Sequence, residues 1–239
     1  MATWVTHLMI ADIVLKNCPS LDRRGFCVGS IAPDCNIENE TWTEFTPPRE
    51  VTHWMQSKRK TFDDCERFLS EYFAPRAESA SSEEYSFLLG YWAHLIADAE
   101  FQRYIRDENR VRTSWQRIKG DKELAAKATG LEETWDSVKL LIPAKERMKG
   151  IASIEAEYLS THPESGYLTE ILPLTAFPDY IDYLPSGSIA RKIRIMGTIP
   201  ESDINTRSFL AISKEEYACF IQTSASLICD GLKDKKLLP

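Results

Sequence analysis

The sequence contains no run of the roughly eighteen consecutive apolar residues that a bilayer-spanning helix needs. It also lacks a CxxC pair, an Asn-Gly hairpin turn and any long basic stretch. The first absence excludes a transmembrane helix. The second, with six scattered cysteines (Cys18, Cys27, Cys35, Cys65, Cys219 and Cys229), excludes a zinc knuckle and fits reduced thiols. Cys219 and Cys229 fall in an apolar helical pattern and are expected in the core. The longest basic run is Lys58-Arg59-Lys60, expected on a solvated helix face, and the net charge is −7. That balance argues against nucleic acid and against electrostatic docking on anionic lipid as partners. The N-terminal MATWVTHLMIADIVL has no basic leader, and His7 and Asp12 interrupt its apolar stretch, so a cytoplasmic location is expected.

Period-2 alternation is almost absent, whereas helical signals are strong. Trp4, Leu8, Ala11 and Leu15 share a helical face, and a second helix is expected from about Glu50 to Phe73. Ser81-Ser82-Glu83-Glu84 places an N-cap before EYSFLLGYWAHLIADAEFQRYI, a run apolar on nearly every side and therefore the expected central helix. Ser213-Lys214-Glu215-Glu216 opens a last helix in the same way. Between Asp121 and Tyr158 one or two amphipathic helices are expected, broken near Pro143, and Pro163, Pro173, Pro178 and Pro185 impose loops after them. No repeat or long linker marks a boundary. The expectation is one all-α domain over residues 1–239, a multi-helix bundle. The connection between Asn17 and Arg49 is long for a bundle, and its core, FCVGSIAPDCNIENETW, is too apolar for disorder; it reads as a packed loop carrying Asp34 to a site.

There are four histidines: His7, His53, His94 and His162. The first three have hydrophobic neighbours, where an imidazole is either a satisfied core residue or a metal ligand. His94 and Asp98 are i and i+4 on the most apolar helix, so they project from one face. A buried Asp is costly unless paired or bound to a cation. Neutral imidazole nitrogen with carboxylate oxygen suits zinc and similar divalent ions. An Asp98–His94 ion pair remains the alternative.

Ordered along the chain are W-x-x-H (Trp4 to His7), G-S-x-A-P-D (Gly29 to Asp34), T-H-W (Thr52 to Trp54) and L-G-x-x-x-H-x-x-x-D (Leu89 to Asp98). This series resembles the zinc-dependent phospholipase C family, including the catalytic domain of glycosylphosphatidylinositol-specific phospholipase D. The S1/P1 nucleases share the architecture more distantly. The resemblance implies a bundle of the phospholipase C/P1 nuclease type with Asp34, His53, His94 and Asp98 as ligands of one ion. It further implies that Asp98 bridges to a second ion bound by His7. A third family site needs two histidines and a carboxylate after H-x-x-x-D. Here no histidine follows until His162, leaving one or two ions, or a third site rebuilt from Glu100, Asp107 or Glu108.

The chemistry implied is hydrolysis of a phosphoric ester, a phosphodiester or phospholipid-like small molecule, by a metal-activated water that Asp34 orients or deprotonates. Zinc is the expected metal, with manganese or iron as alternatives. Arg103 is a candidate phosphate clamp, and Asp179 and Asp182 could line a cleft. The competing reading keeps the metal as a staple in a helical binding protein without catalysis. An HD-type phosphohydrolase is disfavoured because no histidine is followed by aspartate.

Overall fold

In the computed structural model, which describes residues 2–239, the chain is a helical assembly whose only strands are two residues each. Helix α1 (Trp4–Asn17) is N-capped by the Thr3 hydroxyl, and α2 (Arg23–Gly29) by the Asp22 carboxylate, which accepts from Gly25 N at 2.7 Å. The connection expected as a packed loop instead opens with α2, is buried from Gly25 to Asn36, and is largely exposed from Glu40 to Pro48. After α2 it forms one 3₁₀ turn, Ala32–Asp34, and an antiparallel ribbon of β1 (Ile37–Glu38) and β2 (Phe45–Thr46), with Ile37 opposite Thr46.

The expected helix from Glu50 to Phe73 does not form as one piece. It divides into α3 (Arg49–Thr52) and α4 (Phe62–Arg67), the latter running on into a wide helical turn, Phe68–Phe73. Trp54, with φ of +56°, turns the chain out of α3. Thr61 and Asp64 then form a reciprocal capping box that starts α4 afresh.

Helix α5 (Ser82–Tyr104) is the centre. Every residue from Ser86 to Phe101 is buried, as a helix apolar on all sides must be. Its tightest neighbour is α2. A Cβ on Gly29 would lie 2.0 Å from Phe87 O, and one on Gly90 would lie 2.2 Å from Phe26 O. Only glycine permits this approach, and it fixes the α2 end that leads into Asp34 against the α5 face that carries His94.

Beyond α5 lie α6 (Glu108–Gly120), α7 (Lys122–Ala128), α8 (Trp135–Leu141), α9 (Ala144–Thr161), α10 (Ser188–Met196) and α11 (Lys214–Asp234). The break at Pro143 falls where proline predicts, with one more helix before it than expected. Helix α11, opened by the Ser213–Glu216 capping box, packs on α1 and α5. Its Cys229 is in the core, but Cys219 is exposed: the apolar stripe is narrower than the composition suggested. All six thiols are free. No described helix is long and apolar enough to cross a membrane.

Candidate metal centre

Four separate elements bring His7, Asp34, His53, His94 and Asp98 together in the interior. His7 is on α1, Asp34 ends the 3₁₀ turn, His53 caps α3, and His94 and Asp98 share a face of α5. All five are buried. His53 is at a helix end rather than inside a helix, so its ring leaves the backbone free of the next turn.

The backbone fixes both central imidazoles. His94 Nδ1 donates to Ser30 O at 2.8 Å, and His53 Nδ1 to Arg49 O at 3.1 Å. A carbonyl only accepts, so each ring carries its proton on Nδ1 and turns a lone pair outward on Nε2. The turn bearing His53 is itself held. The Tyr91 hydroxyl donates to Thr52 O, Tyr183 donates to Tyr91 at 2.9 Å, and Trp54 Nε1 donates to Tyr183 at 3.0 Å. These contacts support the left-handed Trp54 backbone, which a bulky residue adopts only at a cost.

The donor atoms have the spacing of a coordination shell. His53 Nε2 is 3.4 Å from His94 Nε2, 3.4 Å from Asp34 Oδ1 and 3.7 Å from Asp98 Oδ2; His94 Nε2 is 3.5 Å from Asp98 Oδ2. A tetrahedral zinc ion with ligands at about 2.0–2.1 Å requires about 3.3–3.4 Å between neighbouring ligand atoms. On the far side, His7 stacks on His94 with ring centroids 3.8 Å apart, and its Nε2 is 3.9 Å from Asp98 Oδ1. His7 Nε2, Asp34 Oδ1 and Asp98 Oδ1 are buried without a hydrogen-bond partner. Native interiors rarely leave such atoms unmatched unless an ion or water completes them. The residues present therefore fit zinc. His94 spends Nδ1 on Ser30, so it can serve one ion only, and a second ion would draw on His7 and Asp98 Oδ1.

The electrostatics agree with a ligand set. Burial, reinforced by Lys60, depresses His53 to about 4. Burial and the neighbouring His94 depress His7 well below its ordinary value. Both are thus neutral near pH 7, the form that binds metals. Burial opposes ionisation of Asp98, but Lys60 and His94 outweigh it and hold the carboxyl far below the usual range. For Asp34 burial is likewise overcome by its surroundings, His53 first and then Lys60, which hold the carboxyl below its usual range.

The sequence reading missed Lys60. Instead of lying on a solvated helix face, Lys60 is in the loop after Trp54, is nearly buried, and donates from Nζ to Asp98 Oδ2. Two interior carboxylates draw an ammonium inward when the backbone is not helical, because charge attraction strengthens away from water. Arg49 adds a second cation at the rim, with Nη2 3.9 Å from Asp34 Oδ1.

Other candidates lie elsewhere. Arg103 is committed to Glu100 through two 2.7 Å hydrogen bonds, which removes both from a phosphate clamp and from a rebuilt third site. Asp107 caps α6. His162 stacks on Tyr158 outside the cluster. Asp179 binds Ser186 and Gly187 N, and Asp182 binds Tyr72 and Arg76. Cys27 and Cys35 are buried thiols that burial keeps protonated.

Residues 6–100 match the family model described as zinc dependent phospholipase C. The match spans all five clustered residues and stops two residues after Asp98. No curated protein and no solved structure matches the chain.

Proposed function

We propose, from the zinc-dependent phospholipase C match of residues 6–100, that the protein hydrolyses a phosphodiester of lipid-like character at this centre, with residues 1–239 acting as one domain. The observation that carries the reading is the 3.4–3.7 Å spacing among His53, His94 and Asp98, with Asp34 3.4 Å from His53, and the buried, unmatched donor atoms beside them. These four would hold zinc, and His7 with the second oxygen of Asp98 would hold a further ion. Zinc, when bound, supplies Lewis acidity and makes water acidic enough to attack near neutral pH.

The chain's own residues do the remainder. Asp34 orients the attacking water and relays its proton to the leaving oxygen as the new phosphorus–oxygen bond forms and the bond to the leaving alcohol breaks. Ser30 O and Arg49 O hold the two imidazoles in the required tautomer. Lys60 and Arg49 bring positive charge to the place where a phosphate must sit, and charge-assisted contacts to phosphate are strong. The packing of α11 on α1 and α5 supports the one-domain reading, since the C-terminal helix closes the bundle around the site.

The test is hydrolysis of bis(p-nitrophenyl) phosphate and of phosphatidylcholine by purified protein before and after chelation. Turnover should vanish with the chelator, return with zinc, and stay lost in Asp34→Ala. Metal bound at full occupancy with no turnover on either substrate would favour the metal-stapled binding protein instead.

A further inference from the structure

The part of the chain outside the family match builds a cavity of its own. The end of α5, helices α8 and α9, and the segment around residues 208–212 enclose about 230 Å³, and every lining residue lies between 101 and 217. Phe101, Ile105, Ile151, Ile154 and Ile212 give it an apolar body. Arg106 and Arg147 also line it.

These two arginines are unlike their neighbours. Arg103 is paired with Glu100, Arg117 with Glu216, and Lys139 at the same cavity with Asp136. Among the described residues neither Arg106 nor Arg147 has a carboxylate within 4.0 Å. Each guanidinium carries five donors. Arg147 donates from Nη1 to Ile142 O at 2.5 Å, and Arg106 donates from Nη1 to Gln102 O and Oε1 at 3.0 and 2.7 Å. The remaining donors of both belong to side chains half removed from water. Burial lowers the pKa of both groups; at Arg106 the neighbouring Arg59 adds to this and Asp136, itself bonded to Lys139, offsets part of it. Arg110, deeper in the same region, shows the contrast: it is satisfied by Tyr104 O, Ile105 O, Ala211 O and Ser114.

An apolar body with two cations that make no direct ion pair, Arg147 lying over the Trp135 ring, is complementary to one class of molecule. We infer that this cavity binds a single-chain anionic amphiphile, its acidic head on Arg106 and Arg147 and its chain against Phe101, Ile151 and Ile154. The volume lies somewhat below the roughly 300 Å³ at which pockets for drug-sized ligands begin. It accepts one medium-length chain and excludes a two-chain lipid. The head group can be a carboxylate or a phosphate monoester, since a guanidinium fork matches both. The site does not rest on the metal reading, because none of its residues belongs to the metal centre.

The experiment is isothermal titration of the purified full-length protein with decanoate, decyl phosphate and decanol, each below its micelle concentration. The expected result is saturable binding of at least one of the anions near one per chain, with decanol weaker by about tenfold or more, the scale of a charged hydrogen bond. Which anion binds more tightly identifies the head group. Arg147→Met and Arg106→Met should each weaken anion binding by a comparable factor, and Ile151→Trp should abolish it by filling the body. The inference is overturned if neither anion binds, if decanol binds as tightly as the anions, or if both arginine variants retain wild-type affinity. The arginines are surface-reaching, so their variants remain informative should Ile151→Trp fail to fold.

Discussion

Replacing Lys60 with Met should weaken the metal-free protein and tighten zinc binding at once. The Lys60 ammonium bonds Asp98 Oδ2, with side-chain exposures of 9 % and 1 %, so the pair is buried and solvent screens it little. Removing one partner of a buried pair leaves the other charge uncompensated, which costs about 3–5 kcal/mol. In a chain of this size, about 3 kcal/mol lowers the melting temperature by about 6–12 °C. A zinc ion at the same oxygen repels the ammonium, so Lys60 must withdraw before the metal enters. The variant has no such competitor. The free energy lost by its metal-free state therefore reappears as affinity, and at about 1.4 kcal/mol per tenfold the gain reaches about 100-fold. The assay pairs melting of chelated wild type and Lys60→Met with a chelator-competition zinc titration. Equal melting temperatures with equal or weaker zinc affinity in the variant would refute the reasoning, because Lys60 would then be neither a counter-ion nor a competitor.

His7→Ala should release about one metal equivalent, measured by elemental analysis, while the four-donor ion stays, because His7 reaches only the second oxygen of Asp98; an unchanged stoichiometry would leave a single-ion site. Gly90→Ala should destabilise by about 1–3 kcal/mol or more through its clash with Phe26 O, whereas Gly120→Ala, with open space around it, should be neutral or mildly stabilising in the same denaturant titration. Glu155, buried on α9 against Thr3 and Thr6, has its pKa raised by burial to about 7. A carboxyl raised above its unfolded value stabilises fully below about pH 4.3, and that contribution is lost as pH rises through 7. Glu155→Gln should therefore gain about 3 kcal/mol relative to wild type between pH 4 and pH 8, read as a difference in melting temperature that grows with pH. A pH-independent difference would show that Glu155 does not change its charge in that window.

The centre combines rigid and yielding parts. Two histidines are tied to carbonyls, and the α2–α5 crossing admits only glycine, so the donor atoms are already spaced before any ion arrives. Lys60 is the yielding member, carried on a loop between two capped helices. A preorganised ligand set needs little rearrangement to bind metal. A tethered cation keeps two buried carboxylates tolerable until it does.

What the sequence determined by itself is local. The all-α class, the Ser81 and Ser213 caps, the break at Pro143 and the shared face of His94 and Asp98 follow from helical period and capping chemistry, which act over a few residues. The five clustered residues were named in order from short motifs, because each motif lies within one turn or helix. Tertiary structure decided the rest. Helix propensity extended Glu50 to Phe73 unbroken, but placing His53 on the site required the Trp54 turn, paid for by the Tyr91–Tyr183 contacts from distant parts of the chain. Lys60 reads as a solvated cation until the fold sets Asp98 beside it, and Arg103 reads as a phosphate clamp until Glu100 claims it. The cavity of Arg106 and Arg147 has no motif at all. Its walls come from five segments that meet only when the helices pack, and pairing between segments far apart in sequence leaves no period to read.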